Sequence, residues 1–522
     1  MKPGLASTLG RLPGYLAPAW AELGQGGALG LLHALAFARP GLWLLELAAL
    51  ALLAWRAGRT SAPGPGFWLG LGFGTGWLLG GVWWLFISMY RYGGLPAWLS
   101  ALAVLALCGF LALYYAAALA LFVRWRRGRP WADASLFAAL WLLAELARGL
   151  IFTGFPWVAS GYAHVEGPLG ALAPWIGVYG IAACAPWLAA FVVAAPRAGK
   201  PVWRAPLLVL AVLALLYALP VPDFTQATGT LRLSLLQGNV PQDEKFAEEH
   251  LPQTLAWDAR SLVTARGDLV VGPETVIPLL PDQLPDGYWD ALTAHFREGH
   301  RAALIGVPLG SFEKGYTNSA AGLSLDTAPL LGGFYRYDKH HLVPFGEFIP
   351  LGFHWFVDMM NMPLGDFNRG PLNPLSFEVK GERIAPNICY EDLFGEELAT
   401  RFVDAAKAPT MFANIGNIGW FGDTVAVSQH LEISRMRALE FQRPMLRATN
   451  TGATAVIDHR GRVTARLEPF TQGVLEASVQ GRSGITPYAW WVGRLGLWPL
   501  ILAALACVGW AALQPGPGRA AP

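Results

Sequence analysis

Over the first 220 residues, long apolar runs alternate with short loops; the pattern then breaks into short mixed segments until one last apolar run near the end. Crossing the hydrocarbon of a bilayer takes roughly 20 mostly apolar residues, and about eight runs approach that length. They lie near 22–38, 41–57, 66–89, 97–123, 133–152, 167–195, 202–220 and 490–512. Between 225 and 483 the periodicity changes. Residues 230–237, 268–271, 302–307, 319–325, 333–337, 384–389, 410–414 and 445–457 read as strands, and 244–266, 285–298, 395–406 and 425–441 as helices. Strands interleaved with helices predict a layered α/β domain with functional residues at strand ends. The expected division is a helical bundle over 1–222, an α/β domain over 223–485, and a final span with a short tail over 486–522.

Composition agrees with a membrane protein. The chain is 54% hydrophobic and only 14% charged, with 23 Trp and a mean hydropathy of +0.38, well beyond a soluble average of about 25% charged residues. A net charge of +2 gives no reason to expect a nucleic-acid partner. Charge position says more. Arg56 and Arg59, then Arg124, Arg126, Arg127 and Arg129, then Arg197, Lys200 and Arg204 mark alternate loops, which the positive-inside rule assigns to the cytoplasm. With Lys2 and Arg11 ahead of the first run, the amino terminus is expected inside and the α/β domain outside. No cleavable signal peptide is evident. Within the fifth run, Glu145 and Arg148 stand three apart on one helical face, either a functional intramembrane pair or an interfacial anchor.

Chemistry concentrates at three predicted strand ends. Cys389, in Asn387-Ile388-Cys389-Tyr390-Glu391, is the one cysteine of the α/β segment; Cys108, Cys184 and Cys507 lie in apolar runs. Outside the cytoplasm it has no intrachain disulfide partner there, so it is either a reactive thiol or a small core residue. Glu274 follows a strand in Gly272-Pro273-Glu274-Thr275, and Lys339 follows another in Tyr337-Asp338-Lys339-His340-His341-Leu342-Val343-Pro344-Phe345-Gly346-Glu347. An acid, a lysine and a cysteine supply what acyl transfer through a thioester needs. The carboxylate moves protons, the thiolate attacks, and the ammonium lowers the thiol pKa and, with a backbone NH after Cys389, stabilises the oxyanion. No metal-ligand spacing or Gly-rich phosphate loop is present; His340 and His341 are adjacent, unlike the pair of a zinc helix. Neither a metal nor a cofactor is expected.

These motifs carry a resemblance. The α/β stretch resembles the nitrilase, or carbon-nitrogen hydrolase, superfamily, with its Glu-Lys-Cys triad and αββα sandwich. The whole chain resembles the apolipoprotein N-acyltransferase family through Pro-Glu-Thr at 273–275, Lys-x-His-Leu-Val-Pro-Phe-Gly-Glu at 339–347, Ile-Cys-Tyr-Glu at 388–391, Gly-Trp-Phe-Gly-Asp at 419–423, the arginine motifs at 437–440 and 443–452, and Thr-Gly-Phe-Pro-Trp at 153–157. The resemblance implies that Glu274 is the general base, Lys339 the oxyanion-stabilising ammonium and Cys389 the nucleophile. It places Glu347 beside the triad, makes Tyr390 and Glu391 supports of the cysteine turn, and puts Trp420 near the mouth of the substrate site. It implies a bacterial inner-membrane enzyme with a periplasmic catalytic domain, acting as a monomer. A phospholipid such as phosphatidylethanolamine would donate an acyl chain to Cys389, and the α-amino group of a diacylated apolipoprotein would accept it.

Two positions depart from that pattern: Ile418 where many members have Asp, and Gly272 where many have Trp. The apolar stretch 351–364, with Phe353, Trp355, Phe356 and three Met, is expected to be an amphipathic arm touching lipid or covering the acyl chain, with an internal core helix as the other reading. Two other functions are compatible with these residues. A membrane-tethered amidohydrolase would use the same three residues and release acid; a transporter or scaffold would need more charged residues within its spans than Glu46, Glu145 and Arg148.

Overall fold

The computed structural model describes residues 12–195, 201, 203–311, 313–327, 330, 333–350, 352–353 and 367–514. They form two compact units: Met1–Trp83 with Ala101–Val221 and Leu497–Pro522, and Trp84–Ser100 with Pro222–Gly496. The stretch 351–364 falls almost wholly outside the described residues.

The first unit is helical. Among the described residues, three helices are long and apolar enough to cross a membrane, Ala97–Trp125, Pro130–Thr153 and Pro168–Ala194, and two bent pairs, Pro63–Val82 with Leu85–Tyr92 and Pro487–Leu495 with Trp498–Leu513, raise the number to at most five. The eight expected spans are therefore not all present as full-length apolar helices. The helices at 43–57 and 204–218 have 15 residues each, short of the roughly 20 a span takes, and the one at 12–34 carries Glu22 and Gln25 among its glycines. That first helix packs tightly on Pro63–Val82. A Cβ on Gly26 or Gly30 would run into the backbone at Leu69 or Phe73, and one on Gly72 or Gly76 into Leu23 or Gly27, so small residues spaced by four let the two backbones touch.

Glu145 and Arg148 are both fully buried. Arg148 donates to Glu145 (2.7 Å), to the Tyr115 hydroxyl (3.0 Å) and to the carbonyls of Phe155 and Trp157 (2.7 Å each). The other Glu145 oxygen accepts from the Ser160 hydroxyl (2.9 Å) and amide (3.2 Å). The chain leaves the helix just here, with positive φ at Phe152, Thr153, Gly154 and Val158. The pair thus satisfies irregular buried backbone that the helix ladder leaves unpaired.

The second unit is built on two six-stranded sheets. The strands are β1 (Thr225–Gln237), β2 (Leu269–Val271), β3 (Ala302–Ser311), β4 (Gly315–Leu323), β5 (Tyr335–Asp338), β6 (Phe377–Val379), β7 (Glu382–Ile388), β8 (Met411–Gly416), β9 (Met445–Thr449), β10 (Ala455–Ile457), β11 (Val463–Arg466) and β12 (Gly473–Gly484). One sheet runs β12-β1-β2-β3-β4-β5 and the other β11-β10-β9-β8-β7-β6. At the heart of each is a parallel trio, β1-β2-β3 and β7-β8-β9.

Alternation along the strands makes the layers. Leu231, Leu233, Leu235, Leu269, Val271 and Leu304 meet Ile384, Ile388, Met411, Ile415 and Leu446 between the sheets, while Leu236, Val270, Ala303 and Ile305 turn outward onto Leu255, Leu262, Leu292 and Phe296 of helices 251–264 and 288–298. On the other sheet, Ala385, Phe412 and Met445 pack under Leu398, Phe441 and Tyr488. The period of two thus sorts each strand's residues into an inner and an outer core, and the result is an αββα sandwich. The functional motifs follow the strands' carboxyl ends, where open α/β sheets present ligand-binding groups.

Candidate active site

β2 is three fully buried residues, Leu269–Val271, and delivers the chain to Pro273-Glu274-Thr275. Thr275 has φ of +46°, an unfavourable conformation for a β-branched residue and therefore a turn that its surroundings must hold. Glu274 is 8% exposed. Its Oε2 accepts from the Asn417 amide (2.8 Å) and its Oε1 from Asn318 Nδ2 (2.7 Å).

Lys339 follows β5, and its backbone amide donates to the Asn318 carbonyl (2.9 Å). Its ammonium, 1% exposed, donates to Glu347 Oε1 (2.9 Å) and lies 3.4 Å from Glu274 Oε1. Asn318 Nδ2 donates to Glu347 Oε1 as well (2.7 Å), so one lysine and one amide bridge two carboxylates. Burial opposes the charge on Lys339, but Glu347 and Glu274 outweigh it and raise its pKa above the ordinary lysine value. The side chain is a fixed ammonium, suited to meeting developing negative charge.

Cys389 begins the turn after β7 with φ of +52°. Its carbonyl accepts from Asn414 Nδ2 (3.1 Å) and sits 3.1 Å from His430 Nε2. Glu391 ties this turn to the lysine segment, accepting from the amides of Ile388 (2.7 Å), His340 (2.7 Å) and His341 (3.1 Å) and from the Tyr337 hydroxyl (2.6 Å). Lysine and cysteine, 50 positions apart, are thus held to one buried carboxylate. Tyr390 packs against His341 and Phe394, with ring centroids at 5.7 and 5.2 Å.

The thiol differs from expectation. Lys339 does favour the thiolate, but burial and the neighbouring Glu274 carboxylate outweigh it and push the Cys389 pKa well above its ordinary value. Cys389 keeps some solvent-accessible surface, yet protein surrounds it closely enough for desolvation to dominate. It rests as a thiol, so attack requires a base at the moment of reaction rather than a standing thiolate. Among the described residues, no three His, Cys, Asp or Glu side chains are grouped to hold a metal ion. His340 Nδ1 lies 2.8 Å from the Gly370 carbonyl, and His341 stacks on Phe394 and meets Glu397 at 2.8 Å.

Residues 29–193 match the apolipoprotein N-acyltransferase N-terminal domain, and residues 232–488 match carbon-nitrogen hydrolase. An apolipoprotein N-acyltransferase of Verminephrobacter eiseniae is 53% identical, the alignment covering 87% of this chain and 89% of that one. One of Ralstonia nicotianae is 48% identical, with 92% of each covered, and one of Bordetella bronchiseptica 41%, over 96% and 100%. The chain belongs to the apolipoprotein N-acyltransferase family. It is an acyltransferase enzyme whose sheet unit has the nitrilase-like fold.

Within this family frame, the site holds residues that sequence reasoning missed. Asn318 in β4 and Asn417 after β8 hold the Glu274 carboxylate, and Asn417 Nδ2 donates to Gln242 Oε1 (2.7 Å). Asn450 Nδ2 in turn donates to Asn417 Oδ1 (3.2 Å) and to the Val240 carbonyl (2.8 Å). Behind Cys389, His430 lies 3.1 Å from Asp392 Oδ1 and 3.1 Å from Arg447 Nη2. Asparagines carry no charge and a single one gives no pattern, but Asn417 and Asn450 directly follow β8 and β9, which was a usable signal.

Trp420, by contrast, makes no hydrogen bond to the triad cluster among the described contacts. It sits in the short turn Gly419–Phe421, edge-on to Tyr92 at 5.6 Å, while Phe421 packs on Trp84 at 4.2 Å. The two departures have local explanations. Ile418 is buried beside Asn417, where a carboxylate would need a partner. At Gly272 a Cβ would come within 2.9 Å of Val276 Cγ1, so this turn packs against valine where a larger residue would need it to yield.

Proposed function

We propose that this enzyme transfers an acyl chain from a phospholipid, through a thioester on Cys389, to the α-amino group of a diacylated apolipoprotein. The observation that carries the reading is the buried Glu274–Lys339–Glu347 cluster beside a partly exposed cysteine on a strained turn. Glu274 takes the thiol proton as sulfur attacks the ester carbonyl. Lys339 and a backbone amide after Cys389 stabilise the oxyanion, and the proton passes to the departing lysophospholipid oxygen. In the second half, the acceptor amine attacks the thioester carbonyl, gives its proton to Glu274, and the thiol is restored. Glu347 keeps Lys339 charged and placed, Glu391 holds the cysteine turn, and Tyr390 braces it by packing. Trp420 would contact substrate near the mouth of the site.

Both substrates are bilayer lipids that react at headgroup level, so a catalytic unit in the same chain as apolar helices shortens the search and aids orientation. The arginine loops favour an amino terminus inside and a catalytic domain, 223–485, on the periplasmic side of the inner membrane. The eight-span arrangement adds 22–38, 41–57 and 202–220 to the longer apolar helices. The proposed partners are a phospholipid such as phosphatidylethanolamine, the apolipoprotein and surrounding membrane lipid, with the enzyme a monomer and no nucleic acid involved.

The test is to incubate purified enzyme with phosphatidylethanolamine and a synthetic diacylated lipopeptide. The expected product is the lipopeptide heavier by one acyl chain on its α-amine, absent with Cys389→Ala. Release of free fatty acid with an unmodified lipopeptide would favour hydrolysis, the second reading that the same three residues permit.

A further inference from the structure

A second lysine is buried at this site, from a segment whose sequence gave no hint of it. Lys245 lies in the turns 242–246 that follow β1, is 4% exposed, and reaches the Glu274 turn rather than its carboxylate. Its ammonium donates to the Glu274 main-chain carbonyl (2.9 Å) and to Thr275 Oγ1 (2.5 Å). Thr275 is the residue with φ of +46°. The same segment reaches the other end of Glu274: Gln242 accepts from Asn417, whose amide donates to the Glu274 carboxylate. The Glu274 turn is thus gripped at its backbone and its head by one short stretch.

We propose that Lys245 is a positioning residue for acyl transfer, its ammonium holding the strained Glu274–Thr275 turn so that the carboxylate stays registered with Lys339 and Asn417. The proposal rests on the acyl-transfer reading above. Charge-assisted donation to a carbonyl and a hydroxyl is roughly twice as strong as a neutral contact, and a shift of about 1 Å in a catalytic group costs on the order of 100-fold in rate.

The surroundings of Lys245 make the idea separable from a purely structural role. The ionisable groups acting on it are Glu274 after β2, Asp258 of helix 251–264 and Cys389 after β7. Asp258 is buried, which pushes its carboxyl well above the ordinary range against the pull of Lys245. Burial lowers the Lys245 pKa to about 8, despite those three groups. Lys339 and Cys389 are both moved upward from their ordinary values, so of these three Lys245 is the one placed to titrate just above neutrality. Below that value it is charged and grips the turn; above it the charge is gone and the grip weakens.

The first half-reaction isolates this, because no acceptor amine titrates in it. Single-turnover labelling of the full-length enzyme by a fluorescent phospholipid in detergent micelles is followed from pH 6 to 10. In the wild type the labelling rate should fall as pH rises through about 8. Lys245→Arg keeps a charge at every pH in the range, so its profile should lack that fall, whatever its absolute rate. Lys245→Met should label at least 10-fold more slowly at pH 7, with an unchanged dependence on phospholipid concentration and an unchanged melting temperature. A fall near pH 8 that persists in Lys245→Arg, or a Lys245→Met rate within twofold of wild type, overturns the positioning role while leaving the thioester intact. Absence of any labelling in the wild type overturns the thioester reading and the proposal together. Should Lys245→Met not fold, the Lys245→Arg profile decides alone.

Discussion

Glu145 and Arg148 in the helical unit, and Glu274, Lys339 and Glu347 in the sheet unit, are both carboxylate–cation groups with almost no solvent contact. Their surroundings differ. Arg148 spends its donors on Glu145, Tyr115 and two carbonyls of the non-helical stretch that follows its own helix, and Glu145 uses its remaining oxygen on Ser160. Charge is balanced one to one, and no reactive atom lies among these contacts. In the sheet unit the Lys339 ammonium is shared between two carboxylates while Lys245 grips the backbone of the Glu274 turn, and Glu274, Lys339 and Glu347 all act on a thiol with residual exposure. A buried ion pair is thus no indicator of catalysis by itself. What distinguishes the second group is that its charges converge on a nucleophile held on a strained peptide.

The contrast should break most sharply at Glu274. Glu274→Gln keeps shape and loses the base, so transfer should fall by three to four orders of magnitude, within the range of general acid–base catalysis. The melting temperature should stay close to wild type, checked by thermal denaturation in micelles. Arg148→Leu should do the reverse. It leaves Glu145 buried without its cation and strips two carbonyls, a loss of roughly 3–5 kcal/mol of stability, measured as a lower melting temperature. The rate per folded molecule should be near wild type.

The two regions also differ in how far sequence alone exposes them. Apolar run length gave the longer apolar helices but not eight full spans, and strand alternation gave most of the sandwich, because burial on one or both faces writes a period into the chain. Helix 425–441 was legible at both ends, Thr424 capping its start. The helix expected from 244 instead begins at Leu251, since Pro252 can sit only in a first turn, and the residues before it are the turns that carry Lys245. The strand expected over 445–457 is two, β9 and β10, separated by a turn in which Ala453 has positive φ. β11 and much of β12 are half-exposed edge strands without a strong apolar signal, and β6 is three residues long, too short for a period. Glu274, Lys339 and Cys389 stood out because each follows a strand and carries unusual chemistry for its setting. The asparagines, and the origin of the thiol's raised pKa, depend on contacts between distant segments.

Asn318→Ala sharpens the comparison at a smaller scale. It removes the amide that bridges Glu274 and Glu347 and should slow transfer by about 10- to 100-fold through misplacement of Glu274, seen as lower kcat with little change in KM. Smallest is Arg91→Ala. That guanidinium meets Asp243 at 3.3 Å with both side chains more than half exposed, so solvent screening leaves the pair almost no weight. Neither melting temperature nor transfer rate should change measurably, which would separate surface pairing from the two buried groups.

The central claim is that Cys389 carries the acyl chain. Enzyme mixed with a phospholipid bearing a radiolabelled acyl chain, without acceptor, should acquire label that neutral hydroxylamine removes, and Cys389→Ala should acquire none. Equal hydroxylamine-labile labelling of the two proteins would contradict it.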